Sequence, residues 1–142
     1  MAENKVIKKA KKAEYLYAVG RRKTATSRIR LFKKKGDLLV NGIAIGKYFP
    51  GVLATTTYLA PLKLTGLLDQ VSFSAKVVGG GKKSQLIAVI HSLARSLIKL
   101  DEAAYRPLLK KAGMLTRDDR MRQSRMVGMG GKARRKKQSP KR

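Results

Sequence analysis

Residues 24–32 read TATSRIRLF. Apolar and polar side chains alternate along this stretch, so that Arg28 and Arg30 fall opposite Ile29 and Leu31. Alternation is the period of a β-strand, whose successive side chains point to opposite faces. Ile29 and Leu31 belong in a core, whereas Arg28 and Arg30 need water or an anion. The stretch therefore predicts a strand with one face buried and one face cationic, in a sheet covered on one side.

The pattern extends in both directions. Upstream, YLYAVG (15–20) is apolar and aromatic-rich, and suits a buried strand ending at Gly20. Gly20–Arg21–Arg22–Lys23 then forms the strand exit. Downstream, Lys33–Lys34–Lys35–Gly36–Asp37 makes a turn into DLLVNG, a third strand closed by Asn41–Gly42. The natural product is a meander of three antiparallel strands. IGKYFPG (45–51) fits one helical turn stopped before Pro50. VLATTTYLAPLKLTGLL (52–68) leaves helix and strand both open because of its threonines and Pro61; the reading adopted is a helix over 52–60.

QVSFSAKVV (70–78) places Val71, Phe73, Ala75 and Val77 on one face and predicts a fourth strand, ended by Gly79–Gly80–Gly81. In SQLIAVIHSLARSLIKL (84–100), Leu86, Ile90, Leu93 and Leu97 recur at helical spacing, with Ile87, Ala94 and Ile98 beside them. Ser84 suits its N-cap and Lys99 its C-terminal dipole. Asp101 suits the cap of a second helix, DEAAYRPLLKKAG, which ends at Gly113. Pro107 predicts either a kink there or a regular part starting near Arg106. The expected fold is α+β and two-layered: a four-stranded, mainly antiparallel sheet with helices on one face, followed by a long basic C-terminal tail. The expected domains are a disordered basic arm over 1–14, a globular domain over 15–116 and an extended basic tail over 117–142.

Charge narrows the function. The 142 residues carry 34 Lys+Arg against 8 Asp+Glu, a formal charge of +26. Residues 1–35 hold 13 basic and 2 acidic residues, 36–116 hold 10 and 4, and 117–142 hold 11 and 2, so both ends are strongly cationic. Such self-repulsion points to an anionic partner: nucleic acid, an anionic membrane or an acidic protein. No apolar run is long enough to span a bilayer, and the N-terminal stretch lacks the apolar segment of a secretory signal. The tail has no bulky apolar face for an interfacial helix, which disfavours the membrane. The absence of cysteine excludes disulfides and thiolate metal sites.

No catalytic constellation can be assembled. The single histidine, His91, lies mid-helix; Asp69, Asp101 and Glu102 fall at turns and helix starts; Asp118–Asp119 pair locally with Arg117 and Arg120. No His/Asp/Glu set has metal-ligand spacing, and neither a cofactor nor a small-molecule substrate is implied. GGGKKS misses the P-loop pattern, because Lys76 stands where its first glycine would be and Lys83 separates Lys82 from Ser84. The turn still offers free N–H groups and a helix N-terminus beside Lys82 and Lys83, so Gly79, Gly80, Gly81, Lys82 and Lys83 are candidates for phosphate contact. A plain strand-to-helix turn explains the same residues without a ligand. Arg21, Arg22 and Lys23 continue into Arg28 and Arg30 and predict a cationic surface for a polyanion. In the tail, Arg117, Arg120, Arg122, Arg125, Lys132, Arg134, Arg135, Lys136 and Lys137 are mixed with glycines, which suits close approach to a phosphate backbone. Fully extended, that tail would reach up to about 85 Å.

At this point the chain resembles a known family. YAVGRRKTATSRIRLF, GDLLVNG, YFPG, GGGKKSQLIAVIHSLARSL, LDEAAYRPLLKKAGMLTRDDRM and KARRKKQSPKR, in that order, are similar to the universal small-subunit ribosomal protein number nine family, bacterial type. The resemblance covers about residues 15–142. It departs where Ser84–Gln85–Leu86 follows the triple glycine, and where Gln138–Ser139–Pro140 stands in place of an aromatic before the terminal Lys-Arg. It implies a ribosomal protein, in the cytoplasm or an organelle, seated in the small-subunit head beside neighbouring head proteins. It further implies binding to the 3′ major domain of small-subunit rRNA and a tail running to the peptidyl-site tRNA. By position, Lys141 and Arg142 would meet phosphates of the tRNA anticodon stem-loop, and Arg21, Arg22, Lys23, Arg117, Arg120 and the basic residues of 132–137 would meet rRNA. A free nucleic-acid chaperone or DNA-compacting protein would carry the same charge without the ordered set of matches.

Overall fold

The computed structural model describes residues 14–126. In chain order its elements are β1 (Leu16–Arg22), β2 (Ala25–Phe32), β3 (Leu38–Val40), β4 (Ile43–Ala44), α1 (Ile45–Tyr48), α2 (Val52–Thr65), β5 (Ser72–Val78), α3 (Lys82–Ile98) and α4 (Glu102–Lys111). The sheet has five strands, ordered β1-β2-β5-β3-β4. The α+β class stands. The meander and the strand count are corrected: β5 sits between β2 and β3, pairing antiparallel with β2 and parallel with β3, and β4 is an added edge strand.

The reason lies in strand length and pattern. β3 has three residues, whereas β5 has seven and alternates throughout. β5 matches β2 from Thr26↔Val78 to Phe32↔Ser72, which sets Phe73 beside Leu31 and Ala75 beside Ile29. The neighbour offering the longer ladder and more buried apolar area takes the central place. A parallel β3–β5 pair needs a long crossover, and the segment carrying α1 and α2 supplies it.

The helical layer rests on small residues. Gly20, Ser27 and Val77 lie in register on the covered face. At Gly20 the β1 backbone lies directly against the α3 backbone at Ala88 and Ser92. The buried hydroxyls of Ser27 and Ser92 meet at 2.9 Å, and the Ser92 hydroxyl also donates to the Val89 carbonyl. α3 is more deeply buried than its apolar stripe alone suggests: Ala88 through Ala94 are all buried, while Ile87 is exposed. Sheet on one side and α2 and α4 on the other enclose it.

One row of α3 side chains closes the free edge of β1. Lys99 Nζ donates to the Tyr17 carbonyl at 2.7 Å, and an Arg95 guanidinium N–H donates to the Val19 carbonyl at 2.6 Å. The Arg21 amide donates to His91 Nδ1 at 3.4 Å. Positions 91, 95 and 99 recur every fourth residue and so share one helix face. An exposed edge strand invites pairing with other chains, and this row satisfies its backbone groups instead.

Several local expectations are sharpened. α2 runs to Thr65 with Pro61 inside it, and the hydroxyls of Thr55, Thr57 and Thr65 donate to carbonyls one turn back. Gly81 rather than Ser84 occupies the N-cap of α3, which has no side-chain cap. Asp101 does cap α4, accepting from the Ala104 amide at 3.1 Å, and α4 starts at Glu102 with Pro107 in its interior. At the end of β3, Asn41 has φ +51°, and its side-chain amide extends the ladder, accepting from the Val77 amide and donating to the Val77 carbonyl.

Candidate nucleic-acid interface

The face of the sheet opposite α3 is built by register. Tyr17, Arg30 and Ser74 form one row across β1, β2 and β5; Val19, Arg28 and Lys76 form the next; Arg21, Thr26 and Val78 form the third. No acidic residue occurs in any of these three strands. Two shallow depressions mark the face. One is lined by Arg21, Thr24, Thr26, Arg28, Lys76, Val78 and Gly79, the other by Tyr17, Arg28, Arg30, Ser74 and Lys76. Because they share Arg28 and Lys76, the cations form one continuous strip. Like charges directly across a strand pair destabilise a sheet, so Arg28 beside Lys76 is an arrangement that an anion would relieve.

Lys76 was missing from the residues singled out in the sequence. Its signal was present, since it alternates with Ala75 and Val77, but only the β2–β5 pairing puts it beside Arg28. Arg30 is steadied by its neighbours: its guanidinium lies 5.2 Å from the centroid of the Tyr15 ring, which in turn packs against Phe32.

Arg22 does not join this strip. It alternates with Arg21 and so turns away from the open face. Its guanidinium donates to the Asp118 carbonyl at 3.1 Å and the Arg120 carbonyl at 2.8 Å, and lies 3.0 Å from Asp118 Oδ2. The side chain is only 13% exposed. It therefore ties residues 118–120 to the end of β1. Arg120 grips the same carboxylate through Nε and a terminal guanidinium nitrogen, at 3.1 and 3.0 Å. These hydrogen bonds, then that of the Arg120 amide, and the nearby charges of Arg120 and Arg22 lower the Asp118 carboxyl to about 2. Arg120 itself remains open to solvent, as do Arg117 and Arg122.

His91 braces the same corner. Burial, then the charge of Arg95, lowers its imidazole below the ordinary value, and Arg117 adds to this, against a hydrogen bond to the Leu115 backbone. A neutral ring is what its geometry requires, because Nδ1 must accept from the Arg21 amide.

The glycine turn has a packing explanation. Gly79 and Gly80 have φ of +76° and +62°. A Cβ on Gly79 would lie 2.5 Å from the Thr24 carbonyl oxygen, and one on Gly80 would lie 3.0 Å from Ala25 Cβ. The turn thus seats against the β1–β2 turn, and Gly79 shares a depression with Arg21. Gly81 has open space. The turn is braced by Gln85, which donates to the Gly79 carbonyl and accepts from the Tyr48 hydroxyl. Lys82 and Lys83 are both exposed, and Lys82 Nζ lies 3.6 Å from the Tyr48 ring centroid. Lys132, Arg134, Arg135, Lys136, Lys137, Lys141 and Arg142, with the arm over 1–13, lie outside the described residues. Arg125 is described, and it is exposed.

Among the described residues, no three His, Cys, Asp or Glu side chains gather to hold a metal. No described helix is long and apolar enough to cross a membrane. What the site offers is a cationic strip on a sheet, with residues 118–120 fixed at one end of it by Arg22.

Comparison with known proteins agrees with the motifs. A family described as ribosomal protein S9/S16 matches residues 20–142. The small ribosomal subunit protein uS9 of Desulfovibrio desulfuricans is 40% identical over 116 residues, covering 82% of this chain and 88% of that protein. The small ribosomal subunit protein uS9 of Amoebophilus asiaticus is 42% identical over 115 residues, covering 81% and 89%. Family, fold class and cationic surface converge: the chain belongs to the S9 family of small-subunit ribosomal proteins, which are structural components of the ribosome and not enzymes.

Proposed function

We propose that this protein is a structural constituent of the small-subunit head that binds the 3′ major domain of small-subunit rRNA. The observation that carries this reading is the strip formed by Arg21, Arg28, Lys76 and Arg30 on strands without an acidic residue. Phosphate contacts of this kind set position and affinity, and they weaken steeply with salt. Arg117, Arg120, Arg122 and Arg125 continue the cationic surface into the tail. Gly79, Gly80, Gly81, Lys82, Lys83 and Lys23 contribute backbone and side-chain donors at the same end of the sheet. Arg22 serves this interface through Asp118, by fixing where the tail leaves the domain. The tail residues Lys132, Arg134, Arg135, Lys136 and Lys137 follow rRNA outward, and Lys141 and Arg142 reach phosphates of the peptidyl-site tRNA. Neighbouring head proteins complete its surroundings.

Crosslinking to RNA in the native cells, followed by sequencing of the attached RNA, tests both halves. The expected result is a narrow set of sites in one domain of small-subunit rRNA, plus an anticodon-arm signal that is lost on removing Lys141 and Arg142. Diffuse crosslinks over many RNAs or over DNA would favour a free nucleic-acid chaperone. An rRNA signal with an unchanged tRNA signal after the truncation would overturn the role of the last two residues alone.

A further inference from the structure

We infer that the open face of the sheet receives an unpaired stretch of RNA, with one base stacked on Tyr17. The inference rests on the RNA-binding reading above and specifies the kind of RNA. Tyr17 is 43% exposed and sits on the open face in register with Arg30 and Ser74. The small Ser74 leaves a depression beside the ring, and the rest of its wall is Arg28, Arg30 and Lys76. An aromatic face that shares a depression with Arg28, Arg30 and Lys76 gains little from a duplex, whose base faces are hidden within the stack. RNA helices expose phosphates, 2′-hydroxyls and base edges, whereas unpaired nucleotides expose π-faces that stack on aromatic side chains. The same strip then takes the flanking phosphates through Arg28 and Lys76. Arg30, already held by Tyr15, presents a planar guanidinium with less ordering left to lose on binding.

The commitment is to unpaired RNA because charge and ring chemistry agree on it. The strands carry no acidic residue, so the face complements a polyanion. Phosphates alone would leave the exposed ring of Tyr17 without a role. An acidic protein segment would satisfy the cations, but its carboxylates bring no ring with them, whereas every RNA nucleotide carries a planar base beside its phosphate.

The test uses the full chain and three probes of equal phosphate number: a single-stranded RNA, a hairpin stem, and an abasic single strand that has phosphates without bases. Tyr17→Ala is expected to weaken binding of the single-stranded RNA about tenfold, with little change for the stem or the abasic strand. Tyr17→Phe is expected to keep wild-type affinity, because stacking needs the ring and not the hydroxyl. The chain contains no tryptophan, so Tyr17→Trp supplies a unique fluorophore, quenched by the single-stranded RNA and not by the abasic strand. An unchanged urea midpoint for each variant shows that the fold is intact. If Arg28→Gln with Lys76→Gln weakens binding of all three probes while Tyr17→Ala weakens none, the face binds RNA without stacking; the inference falls and the RNA-binding reading stands. If none of these substitutions matters, both fall for this face.

Discussion

Replacing Gly20 by alanine tests the contact on which the whole helical layer rests. The added Cβ would lie 3.0 Å from Ser92 Cα, and closer still to the Ala88 carbonyl oxygen and the Ser92 amide nitrogen. Those last two atoms are four residues apart on α3, the spacing of one helical hydrogen bond. Neither can rotate away, because both are backbone. Ordinary contact needs about 3.5 Å or more, so β1 and α3 must part by something on the order of 1 Å. Overpacking of this kind costs about 1–3 kcal/mol. The movement also stretches the bonds from Arg95 and Lys99 to the edge of β1, each worth about 1 kcal/mol. The expected loss is about 3–5 kcal/mol, a large share of a typical domain stability of about 5–15 kcal/mol. Urea unfolding followed by circular dichroism measures it, in roughly 0.5 M salt so that surface repulsion is screened. The midpoint should fall by roughly 2 M. Gly81→Ser is the control: Gly81 has open space and an extended backbone at the N-cap of α3, so serine supplies a missing cap and should add a few tenths of a kcal/mol. A Gly20→Ala loss below about 1 kcal/mol would refute the backbone-on-backbone packing of β1 against α3.

The Asp118 carboxyl should titrate near 2 by carbon-detected NMR, against the ordinary 3.8, and move upward in Arg120→Ala. Its folded value is depressed, so the stability it lends is present above 3.8 and lost as pH falls toward 2; titration at the ordinary value would remove the clamp at the tail root. His91 is also lowered, but here the neutral form is the folded one, so the unfolded chain takes the proton first and stability falls as pH drops below about 6.5. The urea midpoint should decline between pH 7.5 and 5.5 in the wild type and stay flatter in His91→Gln; equal slopes would refute a buried, neutral His91 beside Arg95. Arg28→Gln should reduce the salt dependence of RNA binding by about one phosphate equivalent, whereas Arg22→Gln should lower the urea midpoint more than RNA affinity. The reverse ranking would mean that Arg22 leaves Asp118 to bind RNA.

What was legible followed local period. Alternation fixed the faces of β2 and β5, and spacing fixed α3, because each signal lies within a few neighbouring residues. Asp101 was readable as a cap for the same reason. The strand order was not readable, since placing β5 between β2 and β3 depends on ladder length and on a crossover across α1 and α2. Two residues, Ile43–Ala44, are too few to show any period at all. α2 passes through Pro61 because the burial of Tyr58, Pro61 and Leu62 outweighs propensity. The packing role of the glycines after β5 was not readable, because sequence cannot show that Thr24 and Ala25 lie against them. Arg21 and Arg22 were read together as one cluster, although alternation alone sends adjacent strand residues to opposite faces.

That separation explains how so basic a chain divides its charges. Arg22 is largely buried, and a buried cation is tolerated only when paired. Asp118, one of the few acids, is spent on it, and two backbone carbonyls complete its partners. Asp101 and Glu102 serve the start of α4, where the cap and the helix dipole use them. None is placed on β1, β2 or β5 to offset Arg28, Arg30 and Lys76. In isolation the open face therefore carries repulsion that neutralising residues would remove. A fold selected for stability alone would pair those cations; on the proposed RNA-binding reading they stay open, and the cost is recovered when phosphates bind. The position of the acids, as much as the excess of bases, is what supports the proposed binding side of the sheet.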